Sequence, residues 1–145
     1  MAQGNVKSFS AGLNYEAQKF DQFLFIRAQL GTKNPFAMNL GLSPVKLSQQ
    51  VFHPSFGMDY ARIFECRRFR LGPAFQFSSN SYVFGNRFWY VNASVGYRIL
   101  FGQKIQFLHQ ACFGYTLEGF KNQQTYFQQF TMNYSIKFGM QYVIR

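Results

Sequence analysis

Acidic side chains are scarce in this chain. Five Asp and Glu stand against fifteen Lys and Arg, for a net charge of +10. Long hydrophobic runs are missing too. The longest, at residues 23–26 and 88–91, fall far short of the roughly 20 apolar residues of a transmembrane helix, which excludes a helical span. The only cysteines, Cys66 and Cys112, are far apart in sequence, and His53 and His109 are isolated. That excludes a cysteine framework and any cluster with metal-ligand spacing, so both thiols are expected to be free and no metal or cofactor is expected. The glycines are spread along the chain rather than gathered in a phosphate loop. The positive charge is also dispersed over turns and loops, without the clustered, aromatic-interleaved footprint of a nucleic-acid binder, and nucleic acid is excluded as a partner.

What is abundant is aromatic: 20 Phe and 9 Tyr in 145 residues, more than one small soluble core can cover. Their spacing is regular. From residue 130 to the end, Phe130, Met132, Tyr134, Ile136, Phe138, Met140, Tyr142 and Ile144 alternate with Thr131, Asn133, Ser135, Lys137, Gly139 and Gln141. That is the period of a strand. It outlasts the roughly nine to eleven residues that a tilted strand needs to cross a bilayer.

Seven earlier segments repeat the pattern. They begin near Val6, Gln22, Phe36, Phe56, Phe69, Trp89 and Lys104, and the fifth contains Pro73. Short connections fall near Thr32, Cys66–Arg67–Arg68 and Gly102. Longer ones are expected at residues 43–55, 78–87 and 118–125, with a short one at 18–21. The sequence therefore predicts a single all-β domain over residues 1–145. Its architecture is an eight-stranded antiparallel up-and-down transmembrane β-barrel, the only strand architecture that satisfies every backbone group within a bilayer. The alternative is a soluble, lipocalin-like carrier with the apolar face turned inward around a fatty ligand. Its surface would then be the charge-poor face carrying Gly12, Asn14, Gln29, Asn39 and Ser94.

The end of the chain carries a more specific likeness. Lys137, Gly139, Tyr142 and Ile144 resemble the terminal assembly signal of bacterial outer-membrane β-barrels, with Ile in the last hydrophobic slot, followed by Arg145. As a pattern the resemblance to small outer-membrane barrels covers nearly the whole chain. It implies export, with a signal peptide removed ahead of Met1, insertion by the barrel-assembly machinery, both termini in the periplasm, and contact with outer-membrane lipid and lipopolysaccharide.

An eight-stranded barrel is just wide enough to be filled by side chains, so charges on the inward parity should pair. Arg27, Asp59 and Lys137 fall near mid-height and are expected to form a lumen network. Glu16 and Glu118 are expected near the outer end and Arg70 near the periplasmic end. One candidate for chemistry is His53-Pro54-Ser55, a base and a hydroxyl on one face, with Glu65 further along as an orienting acid. It resembles the His-x-Ser arrangement of outer-membrane lipid A deacylases, with Phe56 where that family has Asn. The simpler reading is a loop-to-strand junction. A filled lumen leaves a non-enzymatic structural or accessory subunit of a larger envelope assembly as the expected role.

Overall fold

The computed structural model describes residues 8–19, 21–67, 69–84, 86–121 and 125–144. The Met1–Asn5 start, Val6 of the first expected strand, Arg68 of the basic turn, residues 122–124 and Arg145 lie outside these. The strands are β1 (Phe9–Gln18), β2 (Gln22–Leu30), β3 (Phe36–Leu42), β4 (Pro54–Ala61), β5 (Phe64–Cys66), β6 (Phe69–Phe84), β7 (Asn86–Phe101), β8 (Ile105–Lys121) and β9 (Tyr126–Ile144), with one short helix, α1 (Pro44–Ser48). Every neighbouring pair is antiparallel. The order β4-β3-β2-β1-β9-β8-β7-β6 returns to β4 through a β4–β6 ladder, so the sheet closes on itself. β4 and β5 both pair with β6 in one unbroken register, Ala61 opposite Ala74 and Phe64 opposite Leu71. They are two halves of one stave, and the barrel has eight.

Pro73 explains the split. Arg62 N–H donates to the Pro73 carbonyl at 3.1 Å, but Pro73 has no N–H to return to Arg62. The ladder loses a rung on the neighbouring strand while β6 itself runs through.

Alternation puts the apolar side chains outside. Ile26 is 69% exposed, Leu40 63%, Phe75 57% and Phe113 51%, whereas Arg27, Asn39, Asp59, Arg98, Gln110 and Lys137 on the other parity are buried. A surface with so much contiguous apolar area is wetted by lipid rather than water. This overturns the carrier alternative, which requires the apolar face to enclose the cavity. Here the polar face does so.

The loop end departs from expectation. The connections expected at residues 78–87 and 118–125 are largely ladder: β6–β7 pairing continues to Phe84 opposite Asn86, and β8–β9 pairing to Lys121 opposite Tyr126. The last strand accordingly starts at Tyr126 rather than Phe130. Beyond the bilayer the outer face no longer has to be apolar, so these residues lose the alternation while keeping their backbone pairing. β1 reaches only from Phe9, opposite Ile144, to Gln18, opposite Ser135. The upper parts of β6 to β9 therefore rise past the β1–β4 side as a four-stranded extension. Among the described residues only the β3–β4 connection is a true loop. It carries α1, whose first turn is capped by Ser43, the hydroxyl accepting from Lys46 N–H at 3.3 Å.

Inside, space is tight. A Cβ on Gly139 would overlap the Asn14 side chain, which lies opposite it on β1. Gly139→Val should therefore destabilise the barrel by about 1 to 3 kcal/mol, the usual cost of overpacking. Phe138→Val, on the lipid-facing neighbour, should cost less. Guanidinium unfolding of both variants in detergent micelles checks this.

Candidate functional site: the lumen charge cluster and the loop-end mouth

Asp59 projects inward from β4 and is the hub of the lumen. Arg27 on β2 grips it with both guanidinium nitrogens, Nη1 to Oδ2 at 2.6 Å and Nη2 to Oδ1 at 2.8 Å. Arg98 on β7 donates through Nη2 to Oδ1. Lys137 on β9, four staves from β4 in the ring, brings Nζ to 3.4 Å from Oδ2. Asn39 on β3 adds an amide N–H at 2.8 Å. One carboxylate thus ties β4 to β2, β3, β7 and β9, and each partner is buried. Charge-assisted bonds of this kind are the strong ones.

A second carboxylate completes the cluster. Glu16, expected near the outer end, lies directly opposite Lys137 in the β1–β9 register and 3.1 Å from its Nζ. It also accepts from Gln76, and from Gln18 at 3.0 Å. Glu16 stands lower than its place in β1 suggests because β9 begins four residues before its alternation does and so rises past the end of β1. Three cations thus share two carboxylates. Amide oxygens meet further guanidinium N–H groups: Gln29 accepts from Arg27 at 2.9 Å, and Gln110 from Arg98 at 2.6 and 2.8 Å, while Arg27 Nε and Arg98 Nη1 are buried without a hydrogen-bond partner among the described residues.

Arg98 is the member that sequence reasoning missed. It continues the inward parity of Asn92, Ser94 and Gly96 by one more step, so extending that alternation to the strand end would have found it. Above the cluster Asn92 links Ser78, Thr116 and Asn133, so the filled cross-section continues toward the mouth.

The other expected site residues separate. Of the terminal signal, Lys137 and Gly139 face the lumen, while Tyr142 and Ile144 face lipid, 45% and 51% exposed. Arg70 lies at the turn end and donates to the Gly102 carbonyl at 2.8 Å. Glu118 lies toward the loop end, where Thr131 and Gln129 donate to it. Cys66 and Cys112 are free.

His53 and Ser55 are both buried on the lumen side at the mouth, away from the lipid-facing wall where an acyl chain would lie. Glu65 is not with them. It sits on β5 at the opposite end, across from Arg70 in register. The acid beside His53 is Asp21, in the β1–β2 connection. His53 Nδ1 donates to its Oδ2 at 2.7 Å, and Ser43 Oγ donates to its Oδ1 at 2.7 Å. The imidazole packs on Phe23 and Tyr82, with centroids 5.0 and 4.6 Å away, and Lys46 lies over the Tyr82 ring at 5.1 Å. The remaining space is a polar pocket of about 30 Å³ beside Asp21, Lys46, His53, Asn80 and Tyr90, room for about one water molecule. Among the described residues no group of three metal-ligating side chains occurs. This arrangement pins the α1 loop across the mouth.

The comparisons with known proteins are consistent with this geometry. No family model and no curated protein sequence matches the chain. Solved structures do. The N-terminal β-barrel domain of Pseudomonas aeruginosa OprF superposes with a TM-score of 0.60 at 11% identity, covering 94% of this chain and 97% of that one. A major outer membrane protein from Thermus thermophilus superposes with a TM-score of 0.53 at 8% identity, covering 96% of this chain and 100% of that one. The fold is that of the small outer-membrane barrels. At such identities the likeness lies in architecture, and the lumen and mouth have to be read from this chain's own residues.

Two outcomes follow from the site. Asp59→Asn leaves three buried cations short of a counter-charge and should cost about 3 to 5 kcal/mol. Combining it with Arg98→Met should cost less than the sum of the single changes, by about 0.5 to 3 kcal/mol, measured by denaturant unfolding in micelles.

At the mouth, burial by itself would raise the Asp21 carboxyl, but the hydrogen bonds from His53, Ser43 and the Gln22 N–H hold it below its ordinary value of 3.8. A depressed carboxyl contributes stability that is present above the ordinary value and lost as pH falls through the depressed one. Wild type should lose stability across that acid window, and Asp21→Asn should lose less, as read by melting temperature against pH.

Proposed function

We propose that the chain is an integral protein of the bacterial outer membrane whose barrel is plugged, and that it acts as a non-enzymatic accessory subunit docking on a larger envelope assembly. The observation that carries this reading is the Asp59 cluster. Salt bridges from Arg27, Arg98 and Lys137 converge on one buried carboxylate and fill the cross-section of the lumen. A solute path would have to break several charge-assisted bonds at once.

With the lumen occupied, the surfaces left for function are the rims and wall. The loop end supports docking. Among the described residues the upper part of β9 has no strand on its β1 side, because β1 stops at Gln18 opposite Ser135. Its Tyr126, Phe127 and Phe130 are 58%, 51% and 75% exposed. No charged residue occurs between Lys121 and Lys137. An uncharged, aromatic strand edge of this kind is a surface that proteins normally cover. In this reading the loop end faces outward, both termini lie in the periplasm after signal-peptide removal, and Lys137, Gly139, Tyr142 and Ile144 are presented to the barrel-assembly machinery. Lipopolysaccharide is the second candidate for contact at the outer end.

In planar bilayers the wild-type protein should give no steady conductance, and Asp59→Ala combined with Arg98→Ala should give measurable leak. In mild detergent a stoichiometric partner should co-purify with wild type and be lost with Phe127→Ser combined with Phe130→Ser, while barrel folding is unchanged. Open channels from wild type would overturn the plug, and purification as a bare monomer would overturn the accessory role.

A further inference from the structure

The four-stranded extension formed by the upper parts of β6 to β9 has two edges, and the fold covers one of them. On β6 the ladder to β4 ends at Asn80, opposite Ser55. Above it the His53 ring lies 4.6 Å from Tyr82, and Lys46 stands over the same Tyr82 ring, so the α1 loop lies against that edge. On β9 the ladder to β1 ends at Ser135, and no described strand lies beside residues 126–134.

One backbone bond fixes which groups face outward from that edge. Lys19 N–H donates to the Tyr134 carbonyl at 3.2 Å, and alternate residues of an antiparallel strand direct N–H and C=O to the same side. Tyr126, Gln128, Phe130 and Met132 therefore turn these groups away from β8, while Phe127, Gln129 and Thr131 turn theirs toward it. Of the outward set, the Met132 carbonyl accepts from Lys19 Nζ at 3.1 Å. The part of β9 below the edge pairs with β1 over ten residues, Ser135 to Ile144, which is already enough to cross a bilayer. The edge thus stands outside the hydrocarbon, within reach of another polypeptide.

Nothing in its sequence guards it. Exposed edges are normally blunted by Lys, Pro or a bulge. Residues 122–136 contain neither a charge nor a proline, and the register of β9 with β8 is unbroken. Cations stand only at the two ends of the edge, Lys121 opposite Tyr126 at the top and Lys19 beside Met132 at the bottom.

We propose that this edge binds an extended segment of a partner polypeptide as an added antiparallel strand, the segment being uncharged and alternately apolar and polar along the edge and acidic at both ends. The inference rests on the accessory reading above and gives its docking a mode and a chemistry. Main-chain bonds supply the affinity in strand addition. Apolar side chains of the segment join Tyr126, Phe130 and Met132 on one face, polar ones join Gln129 and Thr131 on the other, and its acids meet Lys19 and Lys121. A second copy of the chain does not fit. In the same membrane its β9 descends in the same direction and cannot lie antiparallel to this one, and it brings further cations instead of acids.

The test uses the purified full chain in mild detergent and a synthetic peptide of alternating Val and Thr with Asp at both ends. In the free protein the amides of Gln128 and Phe130 should exchange hydrogen quickly and those of Gln129 and Thr131, held by β8, slowly. The peptide should slow Gln128 and Phe130. Gln128→Pro removes an N–H on the edge side and leaves the β8 ladder intact, so it should weaken peptide binding by about tenfold, the order of one lost hydrogen bond. Gln128→Ala, which keeps the main chain, should bind as wild type does. A peptide with Lys at both ends should bind more weakly than the Asp peptide, by a margin that shrinks with added salt. Undetectable binding of the Asp peptide would overturn the proposal, as would binding that leaves the Gln128 and Phe130 amides unslowed. A wild-type dimer abolished by Gln128→Pro would give the edge to a second copy and overturn it as well. None of these results decides the accessory reading, which depends on whether a stoichiometric partner co-purifies.

Discussion

The structure depends on the balance of charge around one buried carboxylate. Three cations inside a narrow barrel would be prohibitively costly if unpaired, and Asp59 is placed where Arg27, Arg98 and Lys137 can all reach it. Because these four residues come from β4, β2, β7 and β9, the cluster links staves that do not touch through the backbone. The ladder bonds close the wall and the cluster fixes its interior. Glu16 and the amides of Gln29, Asn39 and Gln110 take up some of the donors that Asp59 cannot.

That constraint moves function to the outside of the protein. A lumen occupied by bonded side chains leaves the mouth, the two rims and the wall. The mouth is held shut by a small latch in which Asp21 joins the β1–β2 turn to Ser43 and His53 on either side of α1. His53, which in isolation suggests a catalytic base, has the burial and partners of a structural residue. The two rims differ in kind. The loop end has an uncharged aromatic strand edge, with Tyr126, Phe127 and Phe130 exposed, and the turn end has cations beside lipid-facing rings, Arg62 over Phe64 and Lys104 over Tyr142.

The fold was legible in the sequence because a membrane barrel is specified by a local rule. Apolar outward and polar inward at a period of two residues identifies each strand by itself, and the closed antiparallel ring then follows from backbone satisfaction in lipid. Where the rule ceased to apply, so did the reading. Residues 78–84 and 118–121 leave the bilayer, lose the alternation and resemble loops, yet remain paired. Pro73 was recognisable as a defect, but its effect falls across the sheet at Arg62, which only pairing reveals.

The sequence by itself determined which residues point inward, and so that Arg27, Asp59 and Lys137 share the lumen, because parity is a property of consecutive residues. Tertiary structure alone decided which of them meet. Height in a tilted, sheared barrel depends on the register between strands, and register is set by pairings between residues distant in the chain. That is why Glu16 stands opposite Lys137 rather than near the rim, why Arg98 completes the cluster, and why the acid beside His53 is Asp21 and not Glu65. Lys104 owes its neighbour to the same cause: it lies over the Tyr142 ring only because β8 pairs with β9, which sets Ile105 opposite Tyr142.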